Sequence, residues 1–182
     1  MGIKWNQFVA NALWLYTQRN ACTYMLGCSG EVAGRDKHVE DCFKYYYSST
    51  KPEEAKWHDK IGASIPGWNP TDDADTAWQK WLTVYGGKLC FDCSGYLDWC
   101  LGYKGIHKYS SWDFGSMPKN ESVKAGAAGS ALWKTGHVGV DIGYGYECEI
   151  GHYGGTIELF QIVTRDFTES HSIPDVDYTG AI

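Results

Sequence analysis

Between Trp5 and Arg19 the apolar residues Trp5, Phe8, Val9, Ala12, Leu13 and Tyr16 recur at helical spacing, with Asn6, Gln7, Asn11 and Gln18 on the other side. The pattern predicts an amphipathic first helix. Two further helical patterns run through Val39–Tyr46 and Ala74–Trp81, the second with Asp72 or Asp73 as its cap. Between them Pro52 and the run Ile65-Pro66-Gly67-Trp68-Asn69-Pro70 read as turns and loop. Leu97, Cys100 and Leu101 then repeat at helical spacing behind Cys93, and Asp92 and Ser94 are cap-type residues, so a helix is expected to start at that thiol. From Gly102 to Ala128 the chain is polar, rich in Gly and Ser and without a period, which predicts a surface connection.

The period then changes to two. Leu132-Trp133, His137–Ile142, Tyr146–Ile150 and Thr156–Val163 read as short strands separated by glycines, with antiparallel pairing through tight turns. Within His137–Ile142, alternation places Val138, Val140 and Ile142 on the buried face and His137, Gly139 and Asp141 on the other. Gly136 and Gly139 leave room beside His137, which is placed to meet a group packed on the sheet, such as the start of the Cys93 helix. Helices first and a sheet last predict an α+β fold.

With 43% hydrophobic and 15% aromatic residues, the 182-residue chain can fill one core and is expected to be a single domain. A net charge of -6 without a cluster of Lys or Arg argues against a nucleic-acid partner. No stretch approaches the roughly 20 apolar residues of a membrane span, and no signal peptide is evident, so synthesis as a soluble cytoplasmic chain is expected, without membrane insertion. Seven cysteines leave at least one thiol unpaired. Cys22, Cys28, Cys42, Cys90, Cys100 and Cys148 are read as packing residues. Cys90-x-x-Cys93 has zinc-ligand spacing, but no second close pair of cysteines follows, and no βαβ pattern supports a redox pair, so neither a metal nor a cofactor is expected. The aromatics between Val32 and Gly87 are expected mainly in the core, although such a segment beside a cysteine cleft can also wall a groove for sugar or peptide.

A thiol at a helix N-terminus meets unpaired amides and the positive end of the macrodipole, which favour the thiolate. Cysteine-histidine catalysis also needs a group that orients the imidazole. Asp141 lies two residues along the face of His137, about 7 Å away at the usual strand rise. Glu149 and His152 depend on register. A three-residue loop at Gly143-Tyr144-Gly145 puts Glu149 on the face of His137, whereas a two-residue turn at Tyr144-Gly145 brings His152 opposite it. Pairing arithmetic leaves both open.

The segments Phe91-Asp92-Cys93-Ser94-Gly95 and Gly136-His137-Val138-Gly139-Val140-Asp141-Ile142-Gly143-Tyr144-Gly145 resemble the nucleophile motif and histidine strand of the NlpC-type cysteine peptidases, a papain-like family of bacterial cell-wall hydrolases. Thr23-Tyr24-Met25-Leu26-Gly27 is similar to that family's upstream tyrosine segment, and Ala128–Trp133 to its next strand. The long stretch before Cys93 looks like the version found in phage and prophage lysins. Asp141 stands where the family commonly has an aromatic residue, and Ser130 where it commonly has Asp.

The resemblance implies a papain-like fold in which the nucleophile helix packs on a C-terminal antiparallel sheet, with a helical insertion at about 31–88. It implies Cys93 as nucleophile, His137 as general base and then acid, and Glu149 as the third residue. Tyr24, Asp92 and Ser94 match residues that hold the free amino end of a stem peptide. The implied substrate is peptidoglycan, cut between the side-chain carboxyl of D-glutamate and the diamino acid, after release of the protein to the wall. Two alternatives stand beside it: an amidase of the CHAP type that keeps the same residues but cuts between sugar and alanine, and a wall-binding or metal-binding module without catalysis that uses the aromatics or the thiols.

Overall fold

The computed structural model describes residues 2–123 and 126–181. Helix α1, Trp5–Thr17, follows a two-residue strand β1 (Ile3–Lys4), and it buries Phe8, Val9, Ala12 and Leu15 at the predicted spacing. Strands β2 (Cys22–Tyr24) and β3 (Ser29–Val32) precede three helices, α2 (Lys37–Ser48), α3 (Lys56–Ala63) and α4 (Ala74–Tyr85). Asp73 caps α4 by accepting the Thr76 N–H at 2.7 Å. Sequence periodicity missed α3, a helix of eight residues between turn-rich segments. The chain returns through β4 (Leu89–Phe91), which lies between β2, parallel to it, and β3, antiparallel to it.

Helix α5, Cys93–Cys100, begins at the thiol as expected and is buried along its whole length. The connector to the sheet contains a short helix, α6 (Ser111–Gly115), closed by a capping box between Ser110 and Asp113, with Phe114 fully buried. Residues 124 and 125 of that connector lie outside the described residues. Strands β5 (Ala131–Lys134), β6 (His137–Gly143), β7 (Tyr146–Glu149), β8 (Glu158–Gln161) and β9 (Glu169–His171) form one antiparallel sheet in the order β8-β7-β6-β5-β9. Strand β10 (Val176–Asp177) pairs with β1. The α+β class is therefore as expected, with β9 and the β2-β4-β3 sheet as additions.

The core sits between the helices and one face of the large sheet. Phe8, Ala12 and Leu15 of α1 and Tyr96, Leu97 and Cys100 of α5 pack with Val138, Val140, Cys148 and Ile150. The opposite face carries a small second cluster of Leu132, Ile162 and Phe167. A third layer of aromatics stacks within the segment between β3 and β4, where Phe43, Tyr47, Trp78 and Trp81 are buried against one another. No helix among the described residues is long and apolar enough to cross a membrane.

Candidate active site

Helix α5 is anchored at its start by Asp92. Its Oδ1 accepts the Gly95 N–H at 2.7 Å and the Ser94 hydroxyl at 3.0 Å, its Oδ2 accepts the Gly27 N–H at 2.8 Å, and His107 Nε2 stands 3.0 Å from both oxygens. Four donors fill the lone-pair positions of one carboxylate. Asp92 therefore fastens the turn before β3 and the loop after α5 to the start of α5. Gly95 is required there for a second reason, since a Cβ would lie 2.1 Å from the Cys28 carbonyl oxygen. His107 has no motif around it and no periodic neighbours, which is why sequence reading passed over it. Its bond to Asp92 raises its pKa above the ordinary histidine value.

The Cys93 thiol is 5% exposed and faces the backbone N–H groups of Val138, Ser94 and Cys93 itself. These amides favour the anion, but burial and the neighbouring Asp92 carboxylate outweigh them, and the thiol is pushed up to about 12. The amides expected at the helix start do face the thiol, and desolvation by the surrounding packing is the larger, opposing effect.

His137 opens β6, and its Nε2 lies 2.6 Å from Glu149 Oε2. The ring stacks on Phe167 at 5.8 Å between centroids and 12° between planes. The hairpin that makes this pair combines features of both sequence alternatives. Tyr144 and Gly145 form a two-residue turn with φ of 56° and 78°, and Gly143 pairs with Tyr146, but a bulge at Ile142 shifts the ladder so that Asp141 pairs with Glu147 and Val140 with Cys148. The turn is the shorter one, while the register beyond it belongs to the longer loop. Asp141 directs its carboxylate to the Gly143 N–H at 2.8 Å and so closes the bulge. His152 lines the cleft but has no hydrogen bond to His137 among the described residues.

Behind Glu149 stands Arg165, again without a signal in the sequence. Its Nη2 donates to Glu149 Oε1, and its Nε lies 3.5 Å from Glu147 Oε1. Burial, reinforced by the Glu149 charge and opposed by Arg165, pushes Glu147 up to about 9. Gly139 makes room for this arrangement, because a Cβ there would lie 2.9 Å from Glu147 Oε2 and 3.0 Å from the Phe167 ring. Its space does not serve the Cys93 helix, as the sequence suggested. Helix α5 packs on the Val138 and Val140 face, and Cys93 reaches the beginning of β6 from that side.

Two adjoining recesses share Tyr24, Trp57 and Gly136 and form one cleft. One recess contains Cys93, Asp92, Ser94 and His107; the other contains His137, Glu149, Lys60 and Arg165. All three expected substrate-contacting residues, Tyr24, Asp92 and Ser94, thus line the recess of the thiol. Tyr24 lies edge-on to Tyr153 at 5.2 Å, and Trp57 of α3 forms a wall, so part of the aromatic segment borders the groove while most of it fills the core. Among the described residues no hydrogen bond joins the thiol to His137, whose Nε2 is the ring nitrogen engaged, by Glu149. The arrangement thus supplies a buried thiol, a histidine oriented by a carboxylate and amides at a helix start, all opening on one groove. No protein-family model matches the chain, and no curated protein matches it.

Proposed function

We propose that the chain is a papain-like cysteine endopeptidase that cleaves an amide bond in the stem peptides of bacterial peptidoglycan, acting as a phage or prophage lysin once released to the wall. The observation that carries the reading is the 2.6 Å pair of His137 and Glu149 opening on the same cleft as the helix-start thiol of Cys93. Glu149 fixes the imidazole by one nitrogen and leaves Nδ1 to take the thiol proton. Burial and the Asp92 charge disfavour a free thiolate at Cys93, so His137 takes the thiol proton as the sulfur attacks. The sulfur adds to the amide carbonyl, and the oxyanion is met by backbone N–H groups at the start of α5. The imidazolium then protonates the leaving amine, and water hydrolyses the thioester.

The charge around the groove supports a stem peptide. Lys60 borders the His137 recess and suits a peptide carboxylate, while Asp92 borders the recess where a free amine would sit. The bond between the D-glutamyl side-chain carboxyl and the diamino acid is the first choice. Mass spectrometry of purified peptidoglycan fragments after digestion tests it. New termini at that bond are expected; release of intact stem peptides from the sugar would favour an amidase, and no new termini would sink the proposal.

A further inference from the structure

One cluster of ligand-type side chains lies outside the cleft, and the peptidase chemistry does not use it. Cys28 sits in the turn before β3, while His38 and Cys42 lie one helical turn apart on the same face of α2. Their ligand atoms all fall within 4.8 Å of one another, and His38 Nε2 is 3.5 Å from Cys42 Sγ. Glu31 Oε1 is 3.8 Å from the same nitrogen. Tetrahedral zinc, with bonds of about 2.3 Å to sulfur and 2.0 Å to nitrogen, needs ligand atoms about 3.3 to 3.8 Å apart. The three donors therefore need a contraction of up to about 1 Å, His38 Nε2 exchanging the Gly27 carbonyl oxygen 2.9 Å away for the cation, and the Glu31 carboxylate is within reach of the same nitrogen.

We propose that Cys28, His38 and Cys42, with Glu31 as the fourth ligand, form a binding site for a zinc-type divalent cation. Two sulfurs and an imidazole are a soft donor set that selects such an ion over magnesium or calcium. The three ligands come from two elements, so the cation ties α2 to the turn before β3. That turn is bonded to the nucleophile loop twice, through the Asp92 N–H to the Cys28 carbonyl at 2.8 Å and the Gly27 N–H to Asp92 Oδ2 at 2.8 Å. Close approach is built into the backbone, because Gly27 has φ of 84° and a Cβ there would lie 3.1 Å from Cys42 Sγ. On binding, each thiol releases its proton to solvent as its sulfur bonds to the cation, so affinity rises with pH. The sequence reading expected no metal, and the cluster is not visible as a spacing motif, since its extremes, Cys28 and Cys42, are 14 positions apart in the chain.

Cobalt(II) titration of the reduced Cys93→Ala protein, which lacks the nucleophile as a competing ligand, tests the site. One equivalent is expected to give thiolate-to-cobalt charge transfer with tetrahedral d–d bands, displaced by zinc, and zinc is expected to raise the melting temperature. Adding Cys42→Ser should remove about half the charge-transfer intensity, and adding His38→Ala, at an exposed ring, should weaken binding at least about tenfold. Circular dichroism checks that both variants fold; if Cys42→Ser does not, His38→Ala decides. Absence of charge transfer in the folded protein, or spectra and affinity unchanged in the variants, would overturn the site. Ready formation of a Cys28–Cys42 disulfide with no cobalt binding by the reduced protein would overturn it equally.

Discussion

His137 and Glu149 meet at 2.6 Å because a single bulged residue, Ile142, puts a two-residue turn into the register of a three-residue one. Glu149 is also 2% exposed and bonded to Arg165, so its carboxylate is fixed before any substrate arrives. Replacing it with glutamine keeps the shape but lets the amide impose the wrong imidazole tautomer. Glu149→Gln is expected to lower kcat by roughly a hundredfold or more with little change in KM. Steady-state rates on a defined muropeptide check this; an unchanged kcat would remove Glu149 from the catalytic group.

In the proposed mechanism Arg165 acts through Glu149, to which it donates, and is a positioning residue. Arg165→Met leaves Glu147 and Glu149 facing each other without a cation, and kcat should fall by about tenfold. Arg165→Lys, which keeps a cation beside Glu149, should retain more of the rate than Arg165→Met. Steady-state rates and pH–rate profiles of the two variants check this; an equal loss in both would contradict it.

Glu147 alone has a pH signature. Its folded pKa, pushed up to about 9, lies above the ordinary 4.5. Between those values the unfolded chain is ionised while the folded one keeps its proton, so wild-type stability falls as pH rises through that window. Glu147→Gln should therefore gain on the wild type by up to about 1.4 kcal/mol per pH unit between about pH 5 and 9. Urea midpoints at pH 5 and pH 8 measure it, and a gap independent of pH would refute the shift.

Tyr144 is 91% exposed and carries a positive φ of 56° in the hairpin turn. Asparagine and glycine accept that conformation more readily than an aromatic residue. Tyr144→Asn is expected to stabilise the fold by about 0.5–1 kcal/mol, seen as a higher melting temperature with no change in kcat.

How much of this was legible in the sequence depended on the period of each segment. The strand expected at His137–Ile142 and the helix expected behind Cys93 both form where the pattern puts them, although both faces of β6 are covered from Val138 to Asp141 and Ile142, at the bulge, is only half-buried. The β2-β4-β3 sheet escaped notice because its strands have three or four residues, too few to show alternation, and pair with mixed direction. The capping box of Ser110 and Asp113 was readable in principle, but α6 spans only five residues. Register was beyond reach, since the Ile142 bulge leaves no trace in hydrophobicity. His107 and Arg165 join the site through long-range ion pairs that no local spacing encodes. At Cys93 the helix start is a local feature that the sequence shows, whereas desolvation is set by everything packed around the thiol and has no local signal.

Trapping the acyl-enzyme tests the central claim most directly. A muropeptide substrate is mixed with the protein, the reaction is acid-quenched within a turnover, and the digested protein is mapped by mass spectrometry. The account predicts a thioester adduct on the peptide holding Cys93, more of it at early times than at completion, with Cys93→Ala folded but inert. Cleavage undiminished in Cys93→Ala, or an adduct on another cysteine, would contradict it.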